Sequence, residues 1–207
     1  MKTPKIAAAA TMAALVAGCA SMLAEPDRSA EALATMKASF REQGQAKLDR
    51  IDQDEVQRVC SRYHGDAIVP KDIAERIEKA EAATIRYPAD GNYLGDWKNG
   101  EKIAQTGVGM QYSDDPKQPS GGNCYACHEL TQAEVSYGTI GPSLRNFGKT
   151  RGFTPEMRKY AYGKVYNSEA FSACSNMPRF GHGGILTQAQ IKDVAALLLD
   201  PDSPVNK

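Results

Sequence analysis

Residues 124–128 read Cys124-Tyr125-Ala126-Cys127-His128, and this C-x-x-C-H motif constrains the chain more than any other feature. Two cysteines at this spacing can take up the vinyl groups of haem as thioethers, and the histidine that follows becomes an axial ligand of the iron. A zinc site would need a second ligand pair at metal spacing, which the sequence lacks. A redox C-x-x-C pair would need a βαβ context, which the surrounding residues do not indicate. The motif therefore predicts one covalently bound haem c.

The length and composition are those of an ordinary globular protein. The 207 residues suffice for one domain, or for one domain with an extension, and 42% of them are hydrophobic. Lysine and arginine number 25 and so do aspartate and glutamate, which gives a formal net charge of zero. Because there is no basic excess, the composition does not indicate a nucleic-acid-binding protein.

The first 24 residues have the pattern of a secretory signal peptide. Two lysines precede an apolar run at residues 6–18, which is shorter than the ~20 residues that a membrane-spanning helix needs. A lipoprotein-type box at residues 16–19 would leave Cys19 as a lipidated N-terminus. Cleavage near Ala24 would instead remove Cys19, two lysines and no acidic residue, leaving a net charge of −2. We expect a periplasmic protein, attached to a membrane only if Cys19 is lipidated.

The remaining cysteines are Cys60 and Cys174, once Cys19 and the two motif cysteines have been assigned. In an oxidising compartment a leftover pair usually forms a disulfide bond. The alternatives are two free thiols, or one thiol near the haem. We therefore predict a disulfide that links an N-terminal region to the haem domain.

Residues 25–90 are predicted to form an N-terminal helical extension of two or three helices. Good helix formers occupy residues 29–41, the same style continues over residues 49–63, and an apolar stripe at helical spacing follows Pro70. We expect no chemistry from this extension, and His64 within it is interpreted as a surface residue.

Residues 91–207 are predicted to form the haem domain. Its helices are expected at residues 97–104 with Asp96 as N-cap, from Pro155 to about Tyr166, and at residues 186–199. The apolar face of the last helix should pack across the first.

The Gly141-Pro142 turn follows the haem motif. A carbonyl oxygen here can accept a hydrogen bond from Nδ1 of His128, which would orient the imidazole and strengthen it as a ligand. The alternative is an ordinary turn without this role.

Met177 is the predicted sixth ligand of the iron. Pro178 holds the preceding residue extended, so that a thioether can be presented to a metal, and Asn176 can donate a hydrogen bond to the sulfur. A histidine–methionine pair raises the reduction potential of haem iron. His182 is the competing ligand, and Cys174 is a weaker one. The remaining candidates, interpreted as packing residues, are Met110 and Met157.

Residues 95–200 together resemble a class I cytochrome c domain, with a helix, C-x-x-C-H, Gly-Pro, Met-Pro and a C-terminal helix in that order. Within this class the chain resembles SoxX, the small haem subunit of the SoxAX complexes. Three blocks carry that similarity, at residues 122–128, 138–144 and 176–181. The resemblance implies an all-α fold, a class I cytochrome c-like haem domain with an N-terminal helical extension.

The resemblance also implies a function. SoxAX, an L-cysteine S-thiosulfotransferase, joins thiosulfate to a cysteine of the carrier SoxYZ and releases two electrons. The catalytic cysteine-ligated haem of that family belongs to SoxA, so no catalytic residue is expected in this chain. SoxX would accept the electrons at a haem held by His128 and Met177, and pass them to a small soluble cytochrome c.

Two other functions stay open at this point. The chain could be a free-standing periplasmic electron shuttle without a catalytic partner. It could also be a peroxidase-like or sensor haem protein with an open coordination position, although Met177 before a proline argues against that interpretation.

Overall fold

The computed structural model describes residues 27–63 and 68–207. The predicted signal peptide with Cys19, and His64 in the extension, lie outside the described residues. The chain divides into two compact units, Met1–Phe40 and Arg41–Lys207. The first contains helix α1 (Ser29–Ser39), in which no residue is buried.

The second unit contains six α-helices among its described residues. They are α2 (Glu55–Ser61), α3 (Lys71–Ala82), α4 (Trp97–Gln105), α5 (Phe147–Arg151), α6 (Pro155–Tyr166) and α7 (Gln188–Leu199). In the described part of this unit there are also four short 3-10 turns, one before the first of these helices at Leu48–Ile51 and three later ones at Cys124–Ala126, Ser168–Ala170 and Pro204–Asn206. Over residues 27–63 and 68–207 there is no β-strand, and the predicted all-α fold is confirmed.

Side-chain caps decide where the helices begin. The Asp96 carboxylate accepts a hydrogen bond from the Lys98 backbone at the start of α4, and the Thr187 hydroxyl accepts one from Gln190 at the start of α7. These bonds satisfy backbone N–H groups that have no partner within the helix. Asp54 caps α2 in the same way, and it separates α2 from the turn at Leu48–Ile51. The helix-prone stretch at residues 49–63 therefore contains a short 3-10 turn followed by a separate α-helix.

Helices α4 and α7 cross at close range, as the sequence predicts for the first and last helices of the haem domain. A Cβ atom at Gly100 would lie 2.1 Å from the backbone oxygen of Asp193 and 3.0 Å from Cβ of Leu197. The absence of a side chain at this position therefore lets the two backbones approach. Helices α4, α6 and α7 each contribute to both clusters of buried apolar residues.

Helices α2 and α3 belong to the same compact unit as the haem motif. Val56 of α2 and Ile77 of α3 are buried, and α3 packs against the turn at Ser168–Ala170. The division of the chain at residue 40 does not coincide with the predicted boundary at residue 90. The domain boundaries proposed from the sequence stay predictions.

Candidate haem-attachment site

The C-x-x-C-H motif forms one tight turn. Asn123 has a left-handed backbone, with φ of 45°, and the 3-10 turn of Cys124–Ala126 begins directly after it. The carbonyl oxygen of Cys124 accepts hydrogen bonds from the backbone nitrogens of Cys127, at 3.1 Å, and His128, at 2.9 Å. The three side chains predicted to bind haem thus originate within a single turn of backbone.

The two motif thiols are partly buried and are not bonded to each other. Burial, with a smaller contribution from the neighbouring Cys127, raises the pKa of the Cys124 thiol to about 12. Redox-active C-x-x-C cysteines instead have lowered pKa values, because the thiolate is the reactive form. The environment of Cys124 therefore disfavours the redox interpretation of the motif.

The segment that follows the motif holds the imidazole of His128. Nδ1 of His128 lies 2.7 Å from the carbonyl oxygen of Pro142. The backbone nitrogen of Gly141 donates to the carbonyl of Cys127 at 2.8 Å. A Cβ atom at Gly141 would lie only 2.2–2.7 Å from three atoms of the imidazole ring. The Pro142 carbonyl engages Nδ1 and leaves Nε2 as the ring nitrogen that can bind iron.

These observations show that the residues fit a covalent haem. Two unlinked thiols and an oriented imidazole lie in one turn, and Gly141 provides the space in which the ring sits. Within the described ranges, no group of three or more His, Cys, Asp or Glu residues could hold a metal ion.

Met177 lies on the loop between the Ser168–Ala170 turn and α7. Its side chain is partly buried and packs against the cluster that includes Tyr162, Tyr166 and Phe180. Its backbone carbonyl accepts a hydrogen bond from the hydroxyl of Ser168.

Asn176 lies on the same loop immediately before Met177, and its side chain is exposed. The hydrogen bond from its amide to the Met177 sulfur stays a prediction.

The other ligand candidates have different surroundings. Nδ1 of His182 lies 3.2 Å from the hydroxyl of Thr84, and the His182 side chain is exposed. Met157 packs against a cluster of buried residues, and Met110 is 37% exposed on the loop before the motif.

Cys60 and Cys174 form a disulfide in the structure, with their Cα atoms 5.3 Å apart and a sequence separation of 114. The bond joins α2 to the loop three residues before Met177.

A second connection between the N-terminal helices and this loop was not predicted from the sequence. The Arg179 guanidinium forms ion pairs with Asp54 and Glu81. The D-x-x-Q capping signal at Asp54 was readable, but nothing local marks its pairing with Arg179.

Comparison with known proteins places the chain in a family. It is 41% identical over 158 residues to a protein of Aquifex aeolicus (strain VF5) described as an uncharacterized lipoprotein. The alignment covers 75% of this chain and 73% of that relative. A family model described as cytochrome c matches residues 98–200. This chain belongs to the cytochrome c family.

The cytochrome c domain contains all the predicted haem-binding residues, from Cys124 to Met177. It therefore has the class I cytochrome c-like fold expected from the sequence, and a domain of this family binds haem c covalently and transfers electrons. In the part of the chain that the structure describes, no helix is long and apolar enough to cross a membrane.

Proposed function

We propose that this cytochrome c is a monohaem electron-transfer protein whose iron is held by His128 and Met177. The observation that carries this proposal is the 2.7 Å contact between Nδ1 of His128 and the Pro142 carbonyl. That contact makes the imidazole a strong ligand in one orientation, which suits an iron centre that keeps its coordination during electron transfer. When bound, haem supplies a one-electron ferric–ferrous couple.

The chain's own residues contribute three things to this function. Cys124 and Cys127 anchor the cofactor, so that it cannot dissociate between reactions. His128 would bind the iron through Nε2. Met177 would be the second protein ligand of the iron, which would exclude substrates from the metal and raise the reduction potential of the protein.

The finer proposal is that the protein is the electron-accepting subunit of a SoxAX complex. Its support is the similarity of residues 122–128, 138–144 and 176–181 to SoxX. In this proposal SoxA is the partner, SoxYZ is the substrate carrier, and a small soluble cytochrome c takes the electrons. Two exposed apolar side chains lie close in sequence to His128, Val135 at 87% exposure and Ile140 at 78%. If they form a contiguous patch near the haem, that patch would favour contact with a partner protein.

We further propose that the protein functions in the periplasm. The pattern of its first 24 residues supports export, and the relative in Aquifex aeolicus is described as a lipoprotein. Mass spectrometry of the mature N-terminus would show whether Cys19 is lipidated or has been removed.

The function is tested by affinity purification of the protein from its native host. If a second haem chain co-purifies, and the pair oxidises thiosulfate with SoxYZ while this chain alone does not, the subunit proposal stands. If the protein is isolated alone and carries a haem with histidine and methionine ligands, it is a free-standing shuttle instead.

The sixth ligand is tested in either case by optical spectroscopy of the ferric protein. Coordination by methionine sulfur gives a weak charge-transfer band in the red. We expect Met177→Ala to abolish this band and His182→Ala to retain it. The opposite result would assign the position to His182 or to another residue.

A further inference from the structure

The loop that carries Met177 is held by helices α2 and α3, which lie outside the matched cytochrome c region. Arg179, two residues after Met177, has a side chain that is only 15% exposed. Its guanidinium forms ion pairs with Asp54, the N-cap of α2, and with Oε2 of Glu81 in α3, the latter at 3.1 Å. Charge-assisted hydrogen bonds in such a partly enclosed setting are among the stronger ones in proteins.

Glu81 also reaches the loop by a second route. Its side chain is 10% exposed, and Oε2 accepts a hydrogen bond at 2.8 Å from Nδ2 of Asn167, which is fully buried. The side chain of Asn167 caps the turn at Ser168–Ala170. The hydroxyl of Ser168, in that turn, donates to the backbone carbonyl of Met177. One carboxylate is therefore connected to Met177 through the turn before it and through the arginine after it.

Further contacts restrain the beginning of the same loop. The backbone nitrogen of Ala173 donates to Oε1 of Glu78 in α3, at 3.1 Å. Cys174 is joined to Cys60 of α2 by the disulfide. Helices α2 and α3 thus hold the loop on both sides of Met177, although the sequence gives them no haem chemistry of their own.

We propose that Glu81 and Asp54 are positioning residues for the sixth ligand, acting through Arg179 and Asn167 to keep Met177 at the iron. The N-terminal helices then set how often the sixth coordination position opens. This inference rests on the proposed role of Met177. It assigns a function to helices that lie outside the matched cytochrome c region.

The energetic reason is the burial of the charges. Removing the charge of Glu81 leaves the Arg179 guanidinium partly enclosed with one of its two acidic partners missing, which costs far more than losing an exposed ion pair. The chain offers a matched control on the same helix, since Glu75 of α3 pairs with Lys71 at 3.7 Å and both side chains are well exposed.

The test measures how readily an external ligand displaces methionine. Ferric holoprotein is titrated with imidazole, whose apparent affinity scales with the population of molecules in which the sixth position is open. We expect Glu81→Gln to increase that affinity about tenfold, equivalent to about 1.4 kcal/mol. We expect Glu75→Gln to change it less than about twofold. Asp54→Asn retains a good N-cap and should give an intermediate increase, because Asp54 is more exposed than Glu81.

A purely structural role for Glu81 would lower the denaturation midpoint while leaving the imidazole affinity of the folded protein unchanged. Unchanged affinity in both Glu81→Gln and Asp54→Asn overturns the inference. If Glu81→Gln yields no folded holoprotein, the imidazole titration of Asp54→Asn alone tests the positioning role. Met177→Ala separates the two proposals. If this variant retains the charge-transfer band, the assignment of Met177 as ligand is refuted. If it loses the band while Glu81→Gln binds imidazole with wild-type affinity, only the positioning role is refuted.

Discussion

Gly141 and His128 are in such close contact that the glycine has no room for a side chain. A Cβ atom at residue 141 would lie 2.2 Å from Cε1 of His128 and 2.5 Å from Nδ1. The ring is held there by the carbonyl oxygen of Pro142, 2.7 Å from Nδ1. The glycine and the proline carbonyl together determine where the proximal ligand lies.

We predict that Gly141→Ala displaces the imidazole and reduces the yield of haem-loaded protein. Atoms cannot approach this closely, so either the ring or the loop that carries Pro142 must move, and the contact at Nδ1 is lost. The measurement is the ratio of haem absorbance to protein in purified material, together with the optical spectrum of the ferric form.

Gly107→Ala is the matched control for that experiment. A Cβ atom at Gly107 would lie 3.2 Å from the nearest atom, the side-chain amide nitrogen of Asn123, which is exposed and can shift. We expect this variant to load haem normally. Equal haem content and equal spectra in the two variants would show that the tight packing against His128 is not needed.

The crossing of α4 and α7 should tolerate no side chain at Gly100. Alanine is favoured over glycine in a helix by about 1 kcal/mol, yet here its Cβ would meet the backbone of Asp193 at 2.1 Å. We expect the steric clash to outweigh the gain in helix propensity, so that Gly100→Ala lowers the free energy of unfolding by about 1–3 kcal/mol. Denaturant titration measures the change. Lys102→Ala, on the exposed side of α4, should stay within about 0.5 kcal/mol of the wild type, and a stabilised Gly100→Ala would contradict the close crossing.

The disulfide between Cys60 and Cys174 should contribute strongly to stability, because it closes a loop across 114 residues of sequence. In the chain-entropy model a loop of this length is worth about 4–5 kcal/mol. We expect the double variant Cys60→Ser/Cys174→Ser to lose roughly that much in the free energy of unfolding, as measured by guanidinium titration. Wild-type protein treated with a reductant should match the double variant. Equal stability of the oxidised wild type and the variant would contradict this prediction.

Asp54 should make the stability of the protein dependent on acid pH. Burial alone would raise the pKa of its carboxyl, but hydrogen bonds from the Gln57 backbone and the Arg179 guanidinium outweigh that effect and hold the pKa below its usual 3.8. A carboxyl whose pKa is lower in the folded state stabilises the fold above its unfolded pKa. That contribution is lost as the pH falls through the lowered folded value.

We therefore expect Asp54→Asn to be less stable than the wild type near neutral pH, and the difference to shrink as the pH is lowered below 3.8. Asparagine can still cap α2, so the comparison isolates the charge. Asp202→Asn removes an exposed partner of Lys207 and should shift stability little at any pH. A difference between Asp54→Asn and wild type that is independent of pH would contradict the role of the ion pair.

Much of the haem site could be predicted from the sequence because its signals are local. The two thiols and His128 lie within five residues, and the 3-10 turn that groups them is closed by hydrogen bonds within that segment. The contact between His128 and Pro142 spans only 14 residues and needs one Gly-Pro turn. Helix starts at Asp96 and Thr187 follow from side chains that bond to backbone within three residues. Short-range geometry leaves few alternative conformations for these segments, so residue type and spacing suffice to predict them.

Apart from the disulfide at Cys174, which the sequence predicts, only the tertiary structure decided how the loop of Met177 is held. Glu81 lies 98 residues from Arg179 and 86 from Asn167, and it is one of 25 acidic residues in the chain. In sequence it resembles exposed glutamates such as Glu75 of the same helix. What distinguishes it is burial at the packed side of α3, where an unpaired carboxylate would be costly and a partner must therefore be present. Burial depends on how distant segments pack, so the residues next to Glu81 in sequence do not identify its partners.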